Sequence, residues 1–294
     1  MSTMTSFQGH NLANTFLTEN EIRRRCPYAF ETSPTSEFVS DRYVTMTSMD
    51  VVRDLEKLDW YVVEAKQRKA QKNKEGEKSR FSYHQVWFQN PNICITRNEG
   101  GEEVVDCYPR IILTNSADGL NCLKFGVGLY RLVCSNGLVI ADEKLAEFSV
   151  RHINYTFEYV RTVIERIVAE LPNQVAVMNR MRTVELTGDQ KLEFAKRAWA
   201  LRLGKDVNEI EEDDETFEDM LTPVREEDKG NTLWDVYNVL QEKVVKGGFQ
   251  SAKKDDQAKV RKVRKITSFI TETNLSREVD KLAREYLPIP VEAA

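Results

Sequence analysis

Histidine is scarce in this chain, at three residues (His10, His84 and His152). Its five cysteines, at positions 26, 94, 107, 122 and 134, are odd in number, irregularly spaced and without a Cys-x-x-Cys pair. Such an inventory argues against a disulfide framework and offers little for a tetrahedral zinc site. Reduced thiols, and with them a cytoplasmic setting, are the expectation. No stretch approaches the ~20 consecutive apolar residues that cross a bilayer. The opening segment, Met1-Ser-Thr-Met-Thr-Ser-Phe-Gln8, has no basic region leading into an apolar one, so neither a secretory signal nor a membrane partner is expected. P-loop, Gly-x-Gly-x-x-Gly and His-Glu-x-x-His patterns are also missing, and Gly126-Val-Gly128 is too short for a nucleotide loop. No cofactor, metal or catalytic residue is expected, and nothing in the inventory requires an enzyme.

Charge, by contrast, is plentiful: 30% of the 294 residues are charged and 41% are hydrophobic, with a net charge of -5. That composition suits a charge-rich globular chain with a sizeable core. The small total hides segregation. Residues 66–80 carry Lys66, Arg68, Lys69, Lys72, Lys74, Lys78 and Arg80 against Glu75 and Glu77. Residues 253–265 carry Lys253, Lys254, Lys259, Arg261, Lys262, Arg264 and Lys265 against Asp255 and Asp256. Residues 209–219 are acidic almost throughout. Blocks of like charge repel themselves and favour solvated loops or interaction surfaces.

Periodicity divides the chain into a polar arm (1–40), a β-rich core domain ending in a long helix (41–172), and a helical region (173–294) with an acidic loop at 205–229. Thr18-x-x-Glu21 predicts a capped helix that Cys26-Pro27 ends. Tyr43-Val-Thr-Met46 reads as a strand, and Thr47 or Ser48 caps a helix over 49–58. Strands are predicted at 60–65, 83–88, 93–97, 104–114 and 120–139, with a turn at Asn98-Glu-Gly-Gly101. From Val150 the step changes to three and four, predicting a helix that stops near Leu171-Pro172. Further helices fit 173–182, 188–203, 231–246 and 256–285. The class is α+β: a mostly antiparallel sheet with one early helix, then a helical half.

Residues 110–152 are the distinctive block. Three signatures stand in order: Thr114-Asn-Ser-Ala-Asp-Gly119, Arg131-Leu-Val-Cys-Ser-Asn-Gly137 and Arg151-His152. Together they resemble a phage- and plasmid-borne family catalogued as "domain of unknown function 932". Thr232-Leu-Trp-Asp-Val-Tyr-Asn238 resembles a further family element, and the likeness covers roughly residues 40–250. Ala117 stands where the family often has histidine and Leu120 where it often has serine. The resemblance implies a mobile-element protein of a bacterial host cytoplasm and no particular chemistry. The order of elements is also loosely similar to the core of single-strand annealing proteins, which act as rings or filaments without cofactor.

Residue by residue, Cys134 with His152 as base is the one nucleophile reading, set against a buried structural thiol. Arg131, Arg151 and His152 could meet an anion near the start of the 150–171 helix, or hold loops through nearby carboxylates. Lys66, Arg68, Lys69, Lys72 and Arg80 lie beside Trp60, Tyr61, Phe81, Tyr83, Trp87 and Phe88, a mixture that single-strand binders use, although the aromatics also fit a sheet core. Arg261 and Arg264, within Lys259-Val-Arg-Lys-Val-Arg-Lys265, suggest a second basic surface on a helix. The expected function is therefore a non-enzymatic recombination or replication accessory that binds single-stranded DNA, alone or as a homo-oligomer. The alternative is a factor that occupies a host defence or replication protein.

Overall fold

In the computed structural model, residues 2–5, 16–31, 47–68, 83–116, 123–131, 137–139, 149–150, 156–211, 214–253 and 256–288 are described. They run β1 (Ser2–Thr5), α1 (Glu19–Arg25), α2 (Ser48–Glu56), β2 (Tyr61–Gln67), β3 (His84–Gln89), β4 (Cys94–Glu99), β5 (Glu102–Asn115), β6 (Leu123–Arg131), β7 (Gly137–Val139), β8 (Ser149–Val150), α3 (Phe157–Met181), α4 (Gly188–Leu203), α5 (Asp214–Leu221), α6 (Leu233–Lys246), β9 (Gln250–Lys253), β10 (Asp256–Lys262) and α7 (Phe269–Glu285). The fold is α+β, with an antiparallel sheet in the N-terminal half and a helical C-terminal half. It divides into two compact units, one of Thr3–Leu132 with Asp142–Asn173, the other of Val133–Ala141 with Gln174–Ala294 and the first two residues. The predicted strand at Tyr43–Met46 lies outside the described residues.

The sheet unit is organised on β5. Its first half pairs with β4 and its second half with β3, so these two strands lie end to end along one side, and β6 takes the other. The β4–β5 connection is Gly100-Gly101, with φ of 64° and 99°. Two consecutive positive values are what a tight two-residue hairpin demands, and glycine meets them without strain. Alternate residues of three strands (Val86 and Phe88, Ile111 and Leu113, Phe125 and Val127) are at most 2% exposed and form the core face. Helix α2 starts at the expected place: the Thr47 hydroxyl accepts from Asp50 N and the Asp50 carboxylate accepts from Thr47 N, a capping box. Val51, Val52 and Leu55 on its inner stripe are fully buried.

The predicted helices at 150–171 and 173–182 differ. The long helix begins at Phe157, not at 150; Ser149 and Val150 instead pair with Lys124 and Leu123 of β6. Nor does it stop at Pro172, and the separate helix expected at 173–182 is its continuation. A proline inside a helix removes a donor and crowds the carbonyl four residues back, at about 3 kcal/mol. Here an apolar stripe runs straight through it: Val160, Ile164, Ile167, Leu171, Val175 and Met178 are all buried and separated by three or four residues. Burying these side chains, at about 1.5–3 kcal/mol each, outweighs the proline.

The helical unit packs α4, α5 and α7 around α6, which is buried at every position from Leu233 to Val245 except Asp235. The acidic run is not simply a solvated loop. Asp214–Leu221 is helical because Thr216, Phe217 and Met220 bury one face, and Glu215 and Glu218 point outward. The basic run 256–262 is a strand rather than the start of a helix, and α7 begins only at Phe269, capped by Ser268. On a helix, cations at 259, 261, 262, 264 and 265 would face each other at three- and four-residue spacing. Extended backbone spreads them by about 3.3 Å per residue instead of 1.5 Å.

Candidate nucleic-acid interface

The strongest surface feature of the helical unit is the two-stranded ribbon β9–β10. Gly247 and Gly248, with φ of 67° and 92°, turn the chain off α6. A Cβ at Gly247 would collide with the Val263 carbonyl, so only glycine allows this close return. The ladder then pairs Gln250 with Lys262 and Ser251 with Arg261. It extends past the strand ends through Gly248 N to Val263 O (2.9 Å) and Val263 N to Phe249 O (2.8 Å). The foot of the ribbon is tied down from three helices. Ile266 N donates to Val245 O of α6 at 2.9 Å, and Gln250 N to Asp219 Oδ2 of α5 at 2.8 Å. Arg202 of α4 donates to the carbonyls of both Val244 and Arg264.

On this fixed base Arg261, Lys262, Arg264 and Lys265 are all exposed, and among the described residues no acidic side chain pairs with any of them. Val263 between them is 8% exposed and fixes the strand against the unit. Four unneutralised cations within five residues raise the local potential and favour an anion. The outward carboxylates Glu215 and Glu218 stand on α5, which packs beside β9.

In the sheet unit the expected residues separate. Lys66 is half-buried, 3.0 Å from Glu64 and 5.6 Å over the Trp87 ring, so its charge is already engaged. Arg68 is exposed at the end of β2, where its backbone N–H donates to Tyr83 O at 2.9 Å. Lys69, Lys72, Arg80, Arg151 and His152 lie outside the described residues, as do Phe81 and Cys134. Arg131 is 2% exposed, opposite Cys107 on β6. The guanidinium expected as an anion contact is thus enclosed. The helix start expected beside it is also absent, since α3 begins at Phe157. Trp60, Trp87 and Phe88 are 2%, 6% and 0% exposed, hence core residues and not platforms for bases.

Two polar clusters escaped sequence reasoning. Ser48, the first residue of α2, lies 2.7 Å from His84 Nε2, and Asn115 Nδ2 donates to its Oγ at 3.0 Å. His84 and Asn115 are direct partners across β3 and β5, and all three residues are at most 3% exposed. Asn115 Oδ1 also accepts from Ser116 N at 2.9 Å. The start of the Asn-Ser signature is thus fastened to the first turn of a helix 67 residues earlier. The chemistry is that of a buried, satisfied network. The second cluster stacks Arg110 on Tyr130, 3.6 Å from the ring centroid, while its Nε donates to Gln89 Oε1 at 3.0 Å. Burial draws Arg110 down to about 10, against partial compensation from Tyr130 and Glu64. Arg110 sits opposite Gly128 in the β5–β6 ladder. No local pattern signals either cluster, because strand pairing assembles both.

The cysteines within the described residues, Cys26, Cys94 and Cys107, are in no disulfide and are fully buried. Burial pushes the Cys26 thiol up to about 12 and also raises Cys94, so neither supplies a thiolate nucleophile near neutral pH. Among the described residues no group of three or more His, Cys, Asp and Glu could hold a metal ion. None of their helices is long and apolar enough to cross a membrane.

Fold and surface together define an α+β protein in which an antiparallel sheet precedes a helical unit bearing a cationic ribbon. The chain belongs to the family described as "Domain of unknown function (DUF932)", whose model matches residues 36–268. It is 31% identical over 140 residues to "UPF0380 protein YafZ" of Escherichia coli (strain K12), a match spanning 48% of this chain and 49% of that protein. It is 26% identical over 235 residues to "UPF0380 protein YfjQ" of the same organism, spanning 79% of this chain and 78% of that one. No solved structure matches the chain.

Proposed function

We propose that this chain is a non-enzymatic mobile-element protein that binds single-stranded DNA through its phosphates. The observation that carries the reading is the group Arg261, Lys262, Arg264 and Lys265, exposed on a braced ribbon with no acidic partner among the described residues. The same cations also blunt the edge of β10 against strand pairing, as lysines on edge strands commonly do. Edge protection, however, does not call for the clustering of four charges on and just beyond one strand end. Because Trp60, Trp87 and Phe88 are core residues, base stacking contributes little, and affinity is expected to follow ionic strength closely and sequence weakly.

Fluorescence anisotropy with a labelled oligonucleotide of about 40 nucleotides tests this. Binding at low salt that weakens with a log–log slope near 3, about 0.7 for each of four contacts, supports it. No binding at low salt ends it. Equal affinity for duplex DNA would keep the phosphate contacts and remove the single-strand preference.

A second reading has its own observation: Glu215 and Glu218 are exposed on helix α5, and Glu209 and Glu211 are exposed in the segment before it. An acidic face of this kind suits a basic host protein. Charge-neutral variants at Glu215 and Glu218 that abolish biological activity while DNA binding persists would favour it.

A further inference from the structure

The ribbon is held by a residue outside it. Arg202, in the last turn of α4, is half-buried and donates from its two terminal nitrogens to the Val244 carbonyl near the end of α6 and to the Arg264 carbonyl beyond β10. It therefore bridges the segments that enter and leave the ribbon. Among the described residues no carboxylate faces it, although an arginine buried for structural reasons is ordinarily paired with one. Burial alone draws its pKa below the ordinary arginine value, and it remains charged at neutral pH. A cation left unneutralised at the foot of four exposed cations adds to their repulsion in the free protein. An arriving anion relieves that arrangement.

We propose that Arg202 is the positioning residue of the cationic ribbon, and that its unneutralised charge makes it the fifth cation felt by a bound phosphate chain. The proposal rests on the DNA-binding reading above. One guanidinium performs both tasks: its planar fork spans two carbonyls from separate segments, which an ammonium on a flexible stem cannot do, and its charge meets the Arg264 backbone carbonyl.

Two variants of the full chain separate the tasks. Arg202→Gln keeps a donor and loses the charge, whereas Arg202→Lys keeps the charge and loses the fork. Anisotropy with the same oligonucleotide, repeated across salt concentrations, gives the slope and the affinity. Hydrogen exchange of the Val263 and Ile266 amides reports the clamp without DNA. The expectation for Arg202→Gln is a slope shallower by about 0.7 and affinity about fivefold weaker at ~0.1 M salt. For Arg202→Lys the slope stays at the wild-type value, while the two amides exchange faster and affinity falls. An unchanged slope in Arg202→Gln, with wild-type binding intact, overturns the charge role. Unchanged exchange in Arg202→Lys overturns the positioning role. A wild-type chain that binds no oligonucleotide is a different result: it ends the DNA reading and the charge role with it, while the exchange measurement still decides the clamp.

Discussion

Ser48 illustrates what a single residue carries in this fold. Its hydroxyl serves both His84 and Asn115 in the buried interior. Ser48→Ala removes one oxygen and leaves two buried nitrogens without it, which costs about 1–3 kcal/mol. Urea unfolding should show that loss with an unchanged m-value; a variant as stable as wild type would mean the network is slack. Glu242 gives a pH-dependent counterpart. Burial works to raise its pKa, but hydrogen bonds from Arg225 (2.5 and 2.7 Å) and Lys246 (3.0 Å) outweigh burial and hold it below the ordinary carboxylate value. A folded value depressed below the unfolded ~4.3 contributes stability that is present above that pH. It is lost as pH falls through the folded value. The stability gap between wild type and Glu242→Gln should therefore be widest near neutrality and close in acid. A constant gap from pH ~7 to ~3 contradicts it.

At the scale of elements, local signals set most boundaries. Thr18 with Glu21, Thr47 with Asp50, Thr187 with Gln190 and Thr232 with Asp235 each form a complete capping box. The Thr187 helix ends at Gly204 with φ of 64°, the left-handed conformation that glycine adopts without strain. Thr232→Ala should cost about 1 kcal/mol in chemical denaturation, the usual effect of losing such a cap. Pro172 works in the opposite sense. In Pro172→Ala a regained donor and relieved crowding are partly offset by a freer unfolded chain, so a gain of about 2 kcal/mol is expected in the same assay. Destabilisation would mean that the surrounding packing has adapted to a kink. Proline reads as a stop because its local cost is visible in sequence, whereas the stripe continuing through Val175 and Met178 appears only when the segments on both sides are taken together.

At the scale of the whole molecule, the net charge of -5 says little, because opposite charges stand on separate elements. Replacing Arg261, Lys262, Arg264 and Lys265 together by serine should flatten the salt dependence of DNA binding by about 3 in log–log slope. Thermal stability should hold or rise, since mutual repulsion disappears. A steep slope that survives this replacement would move the binding surface elsewhere.

Sequence alone determined the α+β class, the family, the capped helices and the segregation of charge, since composition, capping and periodicity are local properties of the chain. Only the tertiary structure decided where the charged residues sit and what they touch. Arg131 is buried, Glu64 engages Lys66, and the 256–262 run is a strand paired with β9. The bracing of that strand by Arg202, and the joining of Ser48, His84 and Asn115, depend on residues dozens of positions apart. Such partners are chosen by strand register and helix packing, which no window along the sequence contains.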